Sequence, residues 1–458
     1  MTSLAIILKE AGIDVSGSDT DEVFHTDEIL SSFKIPVKKG FYKSNIDGDT
    51  DLIIVTGAHG GMTNIEAQEG LKRNIPTFMH GKFLGLVMEN STGISIAGCH
   101  GKTTTSAMLA NILRGADIDA SYCIGCAGIN PRVPPGHLGS ADIFVAEADE
   151  YATCPITDKT PRFHWQNPKV AIINNIEFDH PDVYKDIKEV RNAFLKFSQK
   201  VPKDGLLIAG IDSREVDYLV KDLDRKIPYL TFGTAPEADY QIKSFKQSEN
   251  YSSFDLFHKG NFLTNITLQV PGLHNARNAA ASFIAADFLG IDKEKIKSGL
   301  KLFTGTKRRF EKITSVKSIS LYDDYAHHPT EIQATLLSAR NFFPNKRLII
   351  IFQPHTYSRT KSLLKELSVS FNTSNTVALI TDIFASKREI EDHSINSEIL
   401  TNNIRKFNPD AHYLPSKDNI MEFLQKNIKP NDIIFTLGAG DIYKIHPGII
   451  ALLKERYV

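Results

Sequence analysis

Long hydrophobic runs are missing from this chain. Nowhere in its 458 residues is there a stretch approaching the roughly 18 consecutive apolar residues of a membrane-spanning helix. The N-terminus, Met1-Thr2-Ser3-Leu4, carries no basic segment leading into a long apolar core, so no secretory signal is read there. Cysteine is scarce, four in all, which suits a reducing compartment better than a disulfide framework; a cytoplasmic location is the expectation. An excess of one charge is also lacking. Lys plus Arg number 53 against 54 Asp plus Glu, so no global field draws the chain to nucleic acid or a membrane surface. There is no internal repeat and no low-complexity segment. Two cysteines form Cys123-Ile-Gly-Cys126, but Cys99 and Cys154 do not supply a second pair at zinc-binding spacing, and two small buried thiols are the reading preferred.

What is present is a phosphate-binding pattern. Gly98-Cys99-His100-Gly101-Lys102-Thr103-Thr104-Thr105 follows the apolar run Ile94–Ala97 and precedes a helical pattern, Ser106–Leu113. Strand, glycine turn, Gly-Lys-Thr and helix start is the order a triphosphate needs. The glycines bring backbone N–H groups close, the helix N-terminus and Lys102 add positive potential, and a threonine hydroxyl can ligate Mg2+. The glycine that opens the longer form of this motif is replaced by Ile96, leaving Gly-x-x-Gly-Lys-Thr.

The length accommodates about three domains, and the pattern divides as 1–90, 91–311 and 312–458, each an alternation of helix and strand. The fold class expected is α/β. Residues 1–90 read as half of a doubly wound sheet, with a strand at Asp51–Thr56 and a Gly-rich turn, Gly57-Ala-His-Gly-Gly61. In 91–311, the strands Asp142–Glu147 and Val170–Asn174 end in acids and amides. Strand C-termini of an open parallel sheet face the ligand crevice, so Glu147, Asp149, Glu150 and the run Asn175-Ile-Glu-Phe-Asp-His180 are expected to converge on the phosphates and hold Mg2+. Gly272-Leu-His-Asn275-Ala-Arg-Asn278 opens an alanine-rich helix whose first turn can touch a ligand. In 312–458 the polar groups again follow strands: Asp323-Asp324-Tyr325-Ala-His327-His-Pro329, Gln353-Pro-His355-Thr356-Tyr-Ser-Arg359 and Gly438-Ala-Gly-Asp441.

These motifs, with Lys307-Arg308-Arg309-Phe310, resemble the Mur ligases in order and spacing over essentially the whole chain. The family comprises ATP-dependent amide-bond-forming enzymes of bacterial cell-wall synthesis. Within it, Asp-Asp-Tyr-x-His-His-Pro and Gln-Pro-His-x-Tyr-x-Arg-Thr are similar to the members that add L-alanine to UDP-N-acetylmuramate. The resemblance implies an N-terminal Rossmann-like domain for the UDP-sugar, a central P-loop ATPase and a C-terminal Rossmann-like domain for the amino acid, in a monomer or homodimer. It implies ATP held by Gly98, His100, Gly101, Lys102, Thr103 and Thr104, with Asn275, Asn278, Arg309 and Asp324 near the nucleotide. Thr103, Thr104, Glu147 and His180 would surround Mg2+, and Tyr325, His327, His355 and Arg359 the amino acid. Lys102, Glu147, His180, Arg309 and Asp324 would carry the catalysis, with His180 or His327 as general base.

Three departures from the family pattern stand out. The alanine-adding ligases open with a strand and a Gly-rich loop ending in methionine, where Met1 falls; a domain truncated at its start, through a misassigned start codon or a shortened sequence, is the expectation. Glu147-Ala-Asp-Glu-Tyr151-Ala-Thr-Cys with Arg162-Phe-His resembles instead the family member that reattaches a recycled tripeptide to UDP-N-acetylmuramate. Thr356 replaces an arginine, leaving Arg359, with Arg388 as a helper, to meet the amino acid's carboxylate. L-alanine is the substrate expected, the tripeptide the alternative, and a degenerate nucleotide-binding relic the non-enzymatic one.

Overall fold

Short apolar runs ended by acid, amide or glycine become central parallel strands here. Their lack of alternation is what a strand covered on both faces requires. The computed structural model describes residues 1–130, 133–224, 226–248, 251–385 and 391–457. The chain divides into two compact units, one of Met1–Lys246, Ser253–Gln269 and His274–Thr306, the other of Gln247–Ser252, Val270–Leu273 and Lys307–Val458.

In the first unit, β1 (Gly17–Asp19) pairs in parallel with β2 (Val37–Lys39), and β3 (Ile53–Val55) with β4 (Thr77–Met79). They form two separate two-stranded ladders rather than one continuous half-sheet. The cause is local: each strand has three residues and most of those are only half-buried, too little apolar surface to hold a wider sheet. The helix Thr2–Glu10 buries Leu4, Ile6 and Ile7.

The rest of the unit is built on ten strands. They are β5 (Thr92–Ala97), β6 (Ala120–Cys123), β7 (Gly136–His137), β8 (Ala141–Glu147), β11 (Val170–Ile173), β12 (Leu206–Gly210), β13 (Tyr229–Gly233), β14 (Tyr240–Gln247), β15 (Ser252–His258) and β16 (Asn261–Leu268), with β9 (Ala152–Cys154) and β10 (Asp158–Pro161) forming a separate hairpin. The order is β16-β15-β14-β13-β12-β11-β5-β8-β6-β7. β5 pairs in parallel with both β8 and β11, so the chain runs outward on one side of β5 and later resumes on the other. That reversal opens a crevice at the strand C-termini.

The helix Lys102–Gly115 follows β5 and is buried along most of its length. It lies against the helix Lys293–Leu302, where Asn111 Nδ2 donates to the Gly299 carbonyl at 2.7 Å. A methyl group at Gly299 would come within 2.6 Å of the Ile112 Cα, so glycine sets the separation of the two helices.

The second unit carries β17 (Glu311–Val316), β18 (Ile319–Asp324), β19 (Leu348–Phe352), β20 (Thr376–Ile380), β21 (Ala411–Tyr413) and β22 (Ile433–Leu437), in the order β17-β18-β22-β19-β20-β21. All neighbours are parallel except β17 with β18. Leu348, Ile350 and Phe352 join one core with Phe435 and Leu437, while Ile349 and Ile351 join another with Ile434. A strand two-sidedly buried in this way is apolar at every position. Among the described residues no helix is long and apolar enough to cross a membrane.

Gly299→Ala sets a helix-propensity gain of about 1 kcal/mol against overpacking of backbone on backbone, about 1–3 kcal/mol. The clash is with a Cα, which cannot rotate away, so a net loss is expected. Denaturant unfolding checks it; a midpoint at or above that of the unmodified protein would show that the helices part freely.

Candidate active site

The phosphate loop sits where β5 ends beside β11. Gly98 and Gly101 have φ of +132° and +83°. At Gly101 a side chain is excluded twice over, by that backbone and by Asn278 Oδ1, 2.5 Å from where a Cβ would stand. The loop is laced to the segment after β11. Asn175 Oδ1 accepts from the His100 N–H at 2.9 Å, and its Nδ2 donates to the His100 carbonyl at 3.0 Å. The Glu177 N–H reaches Cys99 Sγ at 3.2 Å, and burial pushes that thiol well above its usual pKa, so Cys99 is a packed neutral group. Asn174 Nδ2 donates to Thr105 Oγ1 at 2.9 Å, tying in the first turn of the helix.

Lys102 is the first residue of that helix. Its Nζ donates to the Gly98 carbonyl at 2.6 Å and to Glu150 Oε2 at 2.8 Å. Burial alone would lower the pKa of this ammonium, but the Glu150 and Asp149 carboxylates more than offset it and hold the value above the usual lysine range. Glu150 is almost completely buried, its side chain 2% exposed. Its other oxygen lies 3.5 Å from His180 Nε2. His180 adopts a left-handed backbone, φ 58°, and its ring packs on Tyr151 with centroids 4.6 Å apart. Tyr151 in turn donates to Asp182 Oδ2 at 2.6 Å, and Arg162 donates to Asp149 Oδ2 at 2.8 Å.

Of the residues expected around the metal, Thr103 and Thr104 are buried in the first turn, and His180 reaches the cluster through Glu150. Glu147 ends β8, where its Oε1 accepts from the Gly125 N–H at 2.7 Å. The carboxylate that meets both Lys102 and His180 is therefore Glu150. Asn275 and Asn278 lie at the start of the helix Leu273–Phe288, joined at 3.2 Å, and Asn278 reaches the loop at Gly101. The hydroxyl and carboxylate oxygens form a hard donor set, which fits Mg2+, with one imidazole beside them.

The second unit brings together all four residues expected around the amino acid. Tyr325 and His327 rings stand 5.4 Å apart, and those of His327 and His355 5.7 Å. Arg359 is buried, with Nη1 at 3.1 Å from His355 Nδ1. Thr356 caps the short helix Tyr357–Ser362 with φ 67°, an unusual backbone for a β-branched residue. Arg388 lies outside the described residues. Arg309 donates to Glu331 Oε1 at 3.3 Å and lies 5.2 Å over the Tyr325 ring. Asp324 is buried and accepts from the Phe310 and Ala326 N–H groups, both at 2.9 Å. Burial pushes its carboxyl up to about 6, against the pull of Arg309.

Sequence reasoning passed over four residues that the geometry makes central. Glu150 was grouped with the acids expected to converge on the phosphates and hold Mg2+ but not singled out among them, and Asn174, Glu331 and Arg308 were given no role. The adjacent amides Asn174-Asn175 at a strand end were the available signal for the first amide. For Arg308 there was none to separate it from Arg309.

The comparisons agree along the whole length. Residues 96–286 match the Mur ligase middle domain and residues 308–440 the Mur ligase, glutamate ligase domain. A UDP-N-acetylmuramate–L-alanine ligase of Acetivibrio thermocellus is 40% identical over 453 residues, 97% of this chain and 92% of that one. The solved structure of a UDP-N-acetylmuramate–alanine ligase from Thermotoga maritima superposes with TM-score 0.80 at 24% identity, covering 99% of this chain and 96% of that one. A murein peptide ligase from Psychrobacter arcticus superposes with TM-score 0.73, also at 24% identity and with the same coverages.

Two outcomes follow from the charges. Removing either member of the Lys102–Glu150 pair strands a buried charge, whereas removing both does not. Lys102→Gln, Glu150→Gln and the double variant should therefore show a coupling of at least about 2 kcal/mol in unfolding free energy; additivity within about 0.5 kcal/mol would contradict the pair. For Asp324, a folded pKa raised from 3.8 to about 6 means the folded state binds the proton more tightly. Stability from this group is then present at low pH and lost as pH rises through about 6. Relative to Asp324→Asn, the unmodified protein should lose up to about 3 kcal/mol between pH 4 and pH 6. Parallel stability curves for the two proteins over that range would rule this out.

Proposed function

Because this chain belongs to the Mur ligase family, we propose that it joins L-alanine to the lactyl carboxylate of UDP-N-acetylmuramate, with ATP converted to ADP and phosphate. The observation that carries the proposal is the second unit's cluster of Tyr325, His327, His355 and buried Arg359, in a chain whose curated relatives bear that activity in their names. A guanidinium among aromatic and imidazole rings fits an amino acid, the cation meeting its carboxylate.

A carboxylate is a poor electrophile. In the reaction proposed, a lactyl oxygen attacks the γ-phosphorus, the bond to the β-phosphate oxygen breaks, and an acyl phosphate forms. The amine of L-alanine then adds to the acyl carbon, its proton passes to a base, and phosphate leaves from the tetrahedral intermediate. The loop N–H groups and Lys102 hold the β- and γ-phosphates, with Arg309 as a second cation for the transferring group. Thr103 or Thr104, Glu147 or Glu150 and His180 would hold Mg2+, which would supply charge neutralisation on the phosphates. Asn275 and Asn278 complete the nucleotide's surroundings on the first unit. We assign residues 1–90 to the UDP-sugar, 91–311 to ATP and 312–458 to the amino acid.

One feature favours a second reading. Tyr151, bonded to Asp182 and packed on His180, belongs to the segment that resembles the tripeptide-recycling ligase. ADP release is measured with UDP-N-acetylmuramate and either L-alanine or L-Ala-γ-D-Glu-diaminopimelate. Turnover with alanine is expected; turnover with the tripeptide alone would replace the first reading by the second.

A further inference from the structure

Arg308 makes more contacts than an arginine next to a reactive cluster needs for solubility or packing. Its side chain is 9% exposed. Nε donates to Asp323 Oδ2 at 2.9 Å, Nη2 to the Gly438 carbonyl at 2.7 Å and Nη1 to the Gly440 carbonyl at 3.3 Å. The guanidinium carbon also lies over two rings, 5.1 Å from the Tyr325 centroid and 4.8 Å from the Tyr443 centroid. The main chain adds a further tie, since the Arg308 carbonyl accepts from the Tyr325 N–H at 2.7 Å. Asp323 is fixed from behind: Oδ1 accepts from Thr436 Oγ1 at 2.7 Å, and that hydroxyl lies 2.8 Å from His446 Nε2.

These contacts join three elements that the chain brings from far apart: the turn before β17, the end of β18 and the loop after β22. Two residues of that turn, Arg308 and Phe310, have φ of 61° and 49°, a cost that surrounding structure must hold in place. Tyr325 lies between two guanidinium groups, Arg308 on one contact and Arg309 on the other.

We propose that Arg308 is a positioning residue that fixes the Tyr325 ring and the Gly438–Asp441 loop together, and so sets the affinity for the amino acid. The proposal rests on the reading of Tyr325, His327, His355 and Arg359 as the amino-acid site. A lysine cannot reproduce it. One ammonium can pair with Asp323, but it has no planar fork to reach both glycine carbonyls and no flat face for two rings.

Steady-state kinetics of Arg308→Lys should show KM for L-alanine raised about tenfold, with kcat and KM for ATP within about twofold. Hydrogen exchange at 438–441 should quicken while the central strands Leu348–Phe352 and Ile433–Leu437 keep their protection. Tyr443→Leu, which removes one of the two rings without touching the cluster, should move KM for L-alanine in the same direction by a smaller factor, and serves if the lysine variant does not fold. An unchanged KM for L-alanine in a folded variant would overturn the proposal, and so would equal rises in both KM values. Failure of the unmodified protein to turn over L-alanine would instead overturn the functional reading. Exchange at 438–441 would then still decide whether Arg308 holds the loop, unchanged exchange counting against it.

Discussion

The pairing of β5 with β11 is the constraint on which the first unit's chemistry depends. It sets the phosphate loop, at the end of one strand, against Asn174–Glu177 at the end of the other. Without that register the loop's glycines would be free to take many conformations, and its N–H groups would have to be organised by the ligand itself. With it, Asn175 grips His100 from both sides of the peptide and Asn174 grips the helix, so the anion site is formed beforehand. Lys102 is then held by Glu150, a buried carboxylate that keeps the ammonium charged and directed back over its own loop.

Holding a cation this way has a consequence for nucleotide binding. Lys102 is satisfied by Glu150 and the Gly98 carbonyl, so a phosphate on the loop would have to compete with both for the ammonium. A triphosphate there would carry more charge than a single carboxylate and would also engage the loop N–H groups and the helix terminus. Release of Glu150 from Lys102 would free the second oxygen of a carboxylate whose other oxygen already lies 3.5 Å from His180 when phosphate arrives. That is when hard oxygen ligands are needed for a divalent cation.

The phosphate loop was legible because its signal is local: strand, Gly-x-x-Gly-Lys-Thr and helix are contiguous. The clusters after β18, β19 and β22 were legible for the same reason. Other features were not, and the reasons differ. Glu147 and Glu150 stand three positions apart in one acidic stretch; the former still belongs to β8, while the latter follows the strand's end, and where the strand stops decides which of them meets Lys102. Arg308 and Arg309 are neighbours of identical chemistry. Only the left-handed backbone at Arg308, which no composition reveals, sends its guanidinium among Asp323 and the glycine carbonyls. The strands of residues 1–90 were read as half a sheet because Asp51–Thr56 is apolar in pattern. Three-residue strands that are mostly half-buried make only paired ladders.

The two histidines considered for the amine's proton have chemically different surroundings. His180 Nε2 faces carboxylates, Glu150 at 3.5 Å and Asp179 at 3.7 Å, beside the residues proposed to hold Mg2+. His327 Nδ1 lies 3.0 Å from the Tyr325 carbonyl, which can only accept. The neutral ring must then carry its hydrogen on Nδ1 and its lone pair on Nε2. Glu331 Oε2, 3.3 Å from the same Nδ1, stabilises the imidazolium that proton capture would create. Acceptor on one nitrogen, with an orienting carbonyl and a carboxylate on the other, is the arrangement a general base requires. It stands among the residues proposed to hold the amino acid, where the amine to be deprotonated would be.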